Sequence, residues 1–421
     1  MATLCLHVGM PKTGTTFLQQ LLVKNRPRLE REGMCYPCFS DIFPHLPTNR
    51  NAFFLSRKKE SQADVARALE RVNQLAQTHS QVILSNEHIW RYRAWDPAFW
   101  EMLARNISPD VDIRVIVYLR RQDQYMYSQY AQVVKTMIES PQFRTLTFAD
   151  YYREFALLEE PDEDYAATLD VMAAAIGADH ITVRVYDREL LQADGGITAD
   201  FLDVLGLREV DDWEMPSRKL NPSLRDSVLE TKRLLNRNPD FNAPGPKVED
   251  PYTKILTRVQ ADMAAEGLIG SRTGFPTELR SEIIEHFSEG NARIAREYLG
   301  REDGVLFDTD LSDIDDDEAM RPFAAEELVD VCGRVIAYKE KERKSLETRN
   351  AKLAERVTRL EERNRGLKEL RERKNAQVER LQKKAAVLEE KNRELERSLE
   401  RTFARRVKRL AGKLLKRLRR Q

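Results

Sequence analysis

Leu4-Cys5-Leu6-His7-Val8-Gly9-Met10-Pro11-Lys12-Thr13-Gly14-Thr15-Thr16-Phe17-Leu18-Gln19-Gln20-Leu21-Leu22 reads as a strand, a turn and a helix in immediate succession. The apolar run Leu4–Val8 has strand length, and Phe17, Leu18, Leu21 and Leu22 recur on one face of a 3.6-residue period. Between them lies a turn with two glycines, Lys12 and three threonines, Thr13, Thr15 and Thr16. Such a turn offers unpaired backbone N–H groups, the positive end of a helix and a lysine to an anion. Gly14 permits a tight bend and close approach of backbone to ligand. The Gly9-to-Gly14 spacing imitates a Walker A loop, but Thr15 stands where the nucleotide-binding lysine belongs and Lys12 lies inside the loop instead.

Working outward, further strand-length apolar runs occur at Val82–Leu84, Ile113–Leu119 and Ile181–Val185. Helical patterns alternate with them: Leu169, Met172, Ala173 and Ile176 precede Gly177, and Phe201, Val204 and Leu205 precede Gly206. The alternation predicts an α/β fold, a P-loop-like parallel sheet flanked by helices, with ligands bound beyond the carboxyl ends of its strands. From 211 to 290 the pattern loosens around Pro216, Pro222, Pro239, Pro244, Pro246 and Pro251, which predicts a helical lobe on the substrate side. An acidic stretch from Asp303 to Glu318 follows the helical segment Ile283–Leu299. It lacks the glycine and glutamate of a calcium loop and reads as solvated linker. The expected units are 1–310, a linker and helix at 311–339, a coiled coil at 340–400 and a basic tail at 401–421.

The coiled coil is read from a heptad that starts with Leu346 at d. It continues through Asn350, Leu353, Val357, Leu360, Asn364, Leu367, Val378, Leu381, Ala385, Leu388, Asn392, Leu395 and Leu399 without a slip, with Arg371 and Lys374 as its only charged core places. Asn at several a positions favours a parallel pair, so a homodimer is expected. Net charge is zero over 421 residues, yet 401–421 carries ten Arg or Lys and no acid, leaving 59 basic against 69 acidic residues before it. Phe403, Val407, Leu410, Leu414 and Leu418 would form one apolar face of this tail among those cations. That combination suits an anionic membrane surface better than a nucleic-acid groove.

No apolar run has the length to cross a bilayer and no secretory leader is legible, so the expected location is cytoplasmic, peripheral on the inner membrane face. Four cysteines are too few for a disulfide framework. Cys35-Tyr36-Pro37-Cys38 has redox or zinc spacing, but a zinc site needs two further ligands and only His45 is near in sequence. The pair is read as cysteines at a surface turn.

Two motifs carry a family resemblance. Pro11-Lys12-Thr13-Gly14-Thr15-Thr16-Phe17-Leu18-Gln19 resembles the 5′-phosphosulfate loop of sulfotransferases that use 3′-phosphoadenosine 5′-phosphosulfate (PAPS), in particular bacterial carbohydrate sulfotransferases. At the end of the strand Ile113–Leu119, Arg120-Arg121-Gln122 through Ser128 to Gln132 resembles their 3′-phosphate motif, an arginine followed eight places later by a serine. The resemblance spans roughly 1–310, including Ile181–Leu190 and Gly206-Leu207. Many members place Asn-Pro after the arginine where this chain has Arg121-Gln122, so either Arg120 or Arg121 is open as the phosphate ligand.

The resemblance implies transfer of a sulfuryl group from PAPS to a hydroxyl, on a saccharide, with no metal. Thr13, Gly14, Thr15 and Thr16 would hold the phosphosulfate, Lys12 would stabilise the leaving phosphate, and Arg120 and Ser128 would hold the 3′-phosphate. Glu87, after the second predicted strand, is the first choice of base and His88 the second; His7 is expected to be packed. Trp90, Tyr92, Trp95 and Trp100 offer ring faces to a sugar or fill the core. The competing readings are a P-loop kinase-like phosphotransferase, which lacks its lysine, and an inactive membrane-associated coiled-coil scaffold.

Overall fold

The computed structural model describes all residues except 58, 137–141, 157–162, 194, 208–212, 217–222, 239–251, 313 and 419–421. Five strands, β1 (Ala2–His7), β2 (Met34–Cys35), β3 (Gln81–Ser85), β4 (Val111–Leu119) and β5 (Ile181–Val185), form one sheet in the order β2-β3-β1-β4-β5. Every pairing is parallel, with Leu4 opposite Val82 on one side and Ile113 on the other.

The strands are mainly apolar at their centres because both sheet faces are covered, and alternate residues supply two cores. Leu4, Leu6, Leu84, Val115 and Val117 pack with Leu69, Trp100, Leu169 and Met172 from the helices Gln62–Ala76, Pro97–Asn106 and Tyr165–Ile176. Cys5, Ile83, Ile116 and Tyr118 point the other way, onto Leu18, Leu21, Leu22 and Phe201 from Thr15–Lys24 and Gly196–Val204. Helix starts follow local chemistry: Ser61, Asp96 and Asp164 accept from Asp64 N, Ala98 N and Ala167 N, satisfying amides that have no partner within their own helix. Trp90 and Trp100 are core residues, whereas Tyr92 is 43% exposed.

Leaving β1, the chain builds β2 and β3 on one side and then crosses to β4 and β5 on the other. The strand order therefore reverses at β1, which places the crevice for a ligand at its carboxyl end. The described part of 211–290 is helical or irregular, with helices Asp226–Leu235, Thr253–Ala265 and Thr277–His286; Pro222, Pro239, Pro244, Pro246 and Pro251 lie outside the described residues.

The chain divides into two units, 1–336 and 337–421. The first reaches beyond the boundary expected at 310, and Ala319, Val331 and Val335 are buried. Residues Ala325–Leu418 are helical. Along the second unit Leu346, Leu353, Leu360, Leu367, Leu381 and Leu388 are all about half exposed. In the tail Phe403, Val407 and Leu410 are exposed; the side chains of Leu414 and Leu418, and all of Arg419 and Arg420, lie outside the described residues. No helix among the described residues is long and apolar enough to cross a membrane.

The reading of Cys35 as a surface-turn residue is corrected here. It lies buried on β2, while Cys38 beyond it is half-buried. A two-residue strand has no periodicity to read, and its position is set by pairing Met34 with Gln81 and Cys35 with Val82.

Candidate active site

The turn after β1 is built on backbone conformations that its sequence permits. Gly9 has φ +40° and Gly14 φ +77°; a Cβ on Gly9 would stand 2.6 Å from Thr15 Cγ2, and one on Gly14 3.1 Å from Ile197 Cδ1. Lys12 adopts φ +70° without being glycine, a conformation costing on the order of 1–3 kcal/mol that tends to be retained where a side chain must be aimed. Thr13 Oγ1 donates to Met10 O at 2.6 Å, and Phe17 N and Leu18 N bond to Gly14 O to start the helix. The amides of Thr13, Gly14, Thr15 and Thr16 receive no acceptor among the described residues, so a row of N–H donors remains for a ligand.

Cations converge on this row. Arg120, one residue past β4, directs its guanidinium at Lys12 O and Gln124 Oε1, both at a long 3.4 Å, and 6.0 Å above the ring of Tyr186. Lys12 Nζ reaches Gln132 Oε1 at 3.4 Å. The helix Gln122–Lys135 thus lays Gln124, Ser128 and Gln132 along the cradle at four-residue spacing, with buried Ser128 between two residues that touch the cations. Its hydroxyl has no hydrogen-bond partner among the described residues. Burial, followed by the nearby charges of Lys135 and Arg120, lowers Lys12 to about 8. An anion is what this concentration of positive charge lacks.

Arg121 is differently engaged. Its guanidinium forks onto Asp123 at 2.7 and 3.0 Å and donates to Asp308 O at 2.6 Å, while Asp123 also receives Arg280 at 3.2 Å. The adjacent arginines therefore face opposite tasks, Arg121 within a buried ion network and Arg120 on the cradle.

Glu87 follows β3 and is buried, Oε2 accepting from Gln19 Nε2 at 2.8 Å and Oε1 pairing with Arg50 at 3.1 Å. Arg50 also reaches His88 Nε2 at 3.4 Å. Burial drives His88 down to about 4 against the opposing charge of Glu87, with Arg50 and Arg91 adding to the fall. His7 is packed as expected: Nδ1 shares a 2.9 Å hydrogen bond with Ser85 Oγ, and burial lowers it to about 4. Among the described residues its Nε2 is buried without a hydrogen-bond partner, as is Oε1 of Gln19.

Sequence reading placed Lys12, Thr13, Gly14, Thr15, Thr16, Arg120 and Ser128 in one cradle and Glu87 and His88 at the next strand end, and the fold brings these segments to one sheet edge. It missed Gln124 and Gln132, whose spacing from Ser128 was visible, and Gln19, one turn into the first helix. Arg50 left no local signal, since it arrives from a separate loop. A separate cleft of about 1230 Å³ opens near Trp95, Met126, Tyr165 and Asn291; none of Lys12, Glu87 or Arg120 lines it.

No family model matches the chain. It is 28% identical over 193 residues to an uncharacterized protein of Archaeoglobus fulgidus, a match covering 44% of this chain, which thus spans 46% of the length of that curated relative. Among solved structures it is similar to a sulfotransferase from Alicyclobacillus acidocaldarius, with 16% identity, a TM-score of 0.33, and coverage of 58% of this chain and 92% of that one.

Proposed function

We propose that this chain is a PAPS-dependent sulfotransferase that transfers a sulfuryl group to a saccharide hydroxyl. The observation that carries the reading is the joining of two anion-binding devices in one crevice: the row of free amides from Thr13 to Thr16 beside Lys12, and Arg120 with Ser128 on the facing helix. A ligand carrying phosphate groups at both ends of a nucleoside fits that pair, and Thr15 in the Walker lysine position disfavours ATP.

In the reaction the acceptor oxygen attacks sulfur, the bond from sulfur to the bridging phosphate oxygen breaks, and adenosine 3′,5′-bisphosphate leaves. Lys12 stabilises charge on that oxygen, and the donors of Thr13–Thr16 hold the adjacent phosphate. Glu87 takes the hydroxyl proton, held in orientation by Gln19 and Arg50, and His88 is the second choice. Arg120 is the ligand of the 3′-phosphate because Arg121 is already paired. The 211–290 segment bears on the acceptor side. Residues 340–400 form a parallel homodimer, and 401–421 holds it on the anionic inner face of a cytoplasmic membrane.

Thermal shift with adenosine 3′,5′-bisphosphate against ATP tests the cofactor. Stabilisation by the bisphosphate alone, followed by PAPS-dependent sulfation of a saccharide panel, is the expected result. Stabilisation by ATP with magnesium would favour a phosphotransferase, and response to neither would favour a scaffold.

A further inference from the structure

At the opposite end of the sheet from the cradle, three chain segments bring metal-ligating side chains together. Glu30 lies on the helix Arg26–Arg31, Cys35 on β2, and His79 just before β3; their ligand atoms all lie within 4.8 Å of one another. The pairing of β2 with β3 fixes this proximity, reinforced by Ser80 N donating to Gly33 O at 2.8 Å.

His79 is held at both ring nitrogens. Nδ1 lies 3.0 Å from Leu75 O and 2.9 Å from Thr78 Oγ1, and Nε2 lies 2.8 Å from Glu30 Oε2, where a proton shared with the carboxylate makes an ion pair. A metal ion between Nε2 and the carboxylate would take the place of that proton. With Nδ1–H donated to the Leu75 carbonyl, the Nε2 lone pair is directed at Glu30, the arrangement in which a backbone acceptor orients a metal-binding histidine.

We propose that Glu30, Cys35 and His79 form a zinc site with three protein ligands that ties the two-residue edge strand β2 to the helix before it and to β3. Thiolate, imidazole and carboxylate suit Zn²⁺, and their two negative charges neutralise it. Tetrahedral coordination separates such ligand atoms by about 3.5 Å at the usual bond lengths, and exposed Glu30 is the side chain free to adjust. The metal displaces the Cys35 thiol proton and any proton held between His79 and Glu30, and water completes the fourth position. Cys38 takes no part: its thiol donates to Ser40 Oγ at 3.3 Å. The site stands apart from the sulfotransferase reading and does not depend on it.

Titration of the metal-free full chain with Co²⁺, followed by Zn²⁺, tests the site. The expected result is a thiolate-to-cobalt charge-transfer absorption saturating at one equivalent and abolished by zinc, with a higher thermal midpoint in the zinc form. The absorption should vanish in Cys35→Ser, weaken at least tenfold in affinity in His79→Gln, and persist in Cys38→Ser. Its absence from the folded wild-type protein overturns the proposal, whatever the variants do. So does its survival in Cys35→Ser.

Discussion

Lys12 and Arg120 both stand on the cradle, yet their surroundings give them different work. On the proposed reading charge develops on the leaving oxygen beside Lys12 in the turn, so Lys12→Ala should lower turnover by about 10²-fold or more with a smaller effect on PAPS affinity. On the same reading Arg120 holds the 3′-phosphate, and Arg120→Ala should raise the Michaelis constant for PAPS by roughly tenfold to a hundredfold, the scale of a lost charged hydrogen bond. Steady-state kinetics on both variants checks the division; equal losses in kcat would remove it. Arg121→Ala should act through stability, because it strips a partner from buried Asp123.

The depressed Lys12 gives a pH test with a definite sign. With a folded value near 8 against an ordinary value of 10.5, its charged form is disfavoured by burial. The unfolded chain binds the extra proton between these values, so the Lys12 contribution to stability rises with pH across that window. Ligand affinity runs the opposite way: the ammonium adds to the attraction for the bisphosphate, so calorimetric affinity should fall modestly as pH rises through about 8. Lys12→Ala should bind the bisphosphate only a few-fold more weakly at neutral pH and lose that dependence. At the next strand end, Glu87→Gln should reduce turnover by about 10²- to 10⁴-fold while leaving bisphosphate affinity within a factor of a few, since Glu87 contacts Gln19 and Arg50. If His88→Ala is instead the inactive variant, the base has been misassigned.

At the scale of elements, the turn after β1 joins strand to helix through positive-φ positions. Gly14→Ala should cost about 1–2 kcal/mol from backbone conformation alone, with the Ile197 contact adding to it, read as a lowered thermal midpoint and weaker bisphosphate binding. That turn was legible because its chemistry is contiguous in sequence and the flanking strand and helix have clear periods. The longer strands were legible for the same reason: Leu4, Leu6, Val115 and Val117 are buried between layers and leave unbroken apolar runs. β2 was not, since two residues supply no pattern and its pairing depends on β3. Nor could sequence show how Arg120 and Arg121 differ in surroundings, because the partners of Arg121 include Asp308 and, through Asp123, Arg280 from far along the chain. Arg50 escaped for a similar reason: nothing around it announces that it clamps Glu87 and approaches His88.

For the whole molecule, the test lies in 337–421, where the leucine stripe is about half exposed and the charge is polarised. A single helix gains nothing from holding a 3.5-residue period, whereas a parallel pair buries Leu346, Leu353, Leu360, Leu367, Leu381, Leu388 and Leu395 along about 80 Å of helix at ~1.5 Å per residue. Asn350, Asn364 and Asn392 at a positions favour two strands at some cost in stability, so replacing all three by Leu should raise the thermal midpoint of the coil and loosen its oligomeric state, measured by sedimentation equilibrium. A parallel dimer would present two basic tails side by side, each with Phe403, Val407 and Leu410 beside dense positive charge. Headgroup attraction and shallow apolar burial then act together, with the electrostatic part screened by salt. Co-sedimentation should show binding to anionic vesicles, little to neutral ones, and weakening as salt rises. Deleting 401–421 should abolish it while the dimer persists, and truncating from 340 should abolish both. Undiminished vesicle binding by the protein without 401–421 would move the membrane contact elsewhere, and a monomer that retains 340–400 would remove the coiled coil.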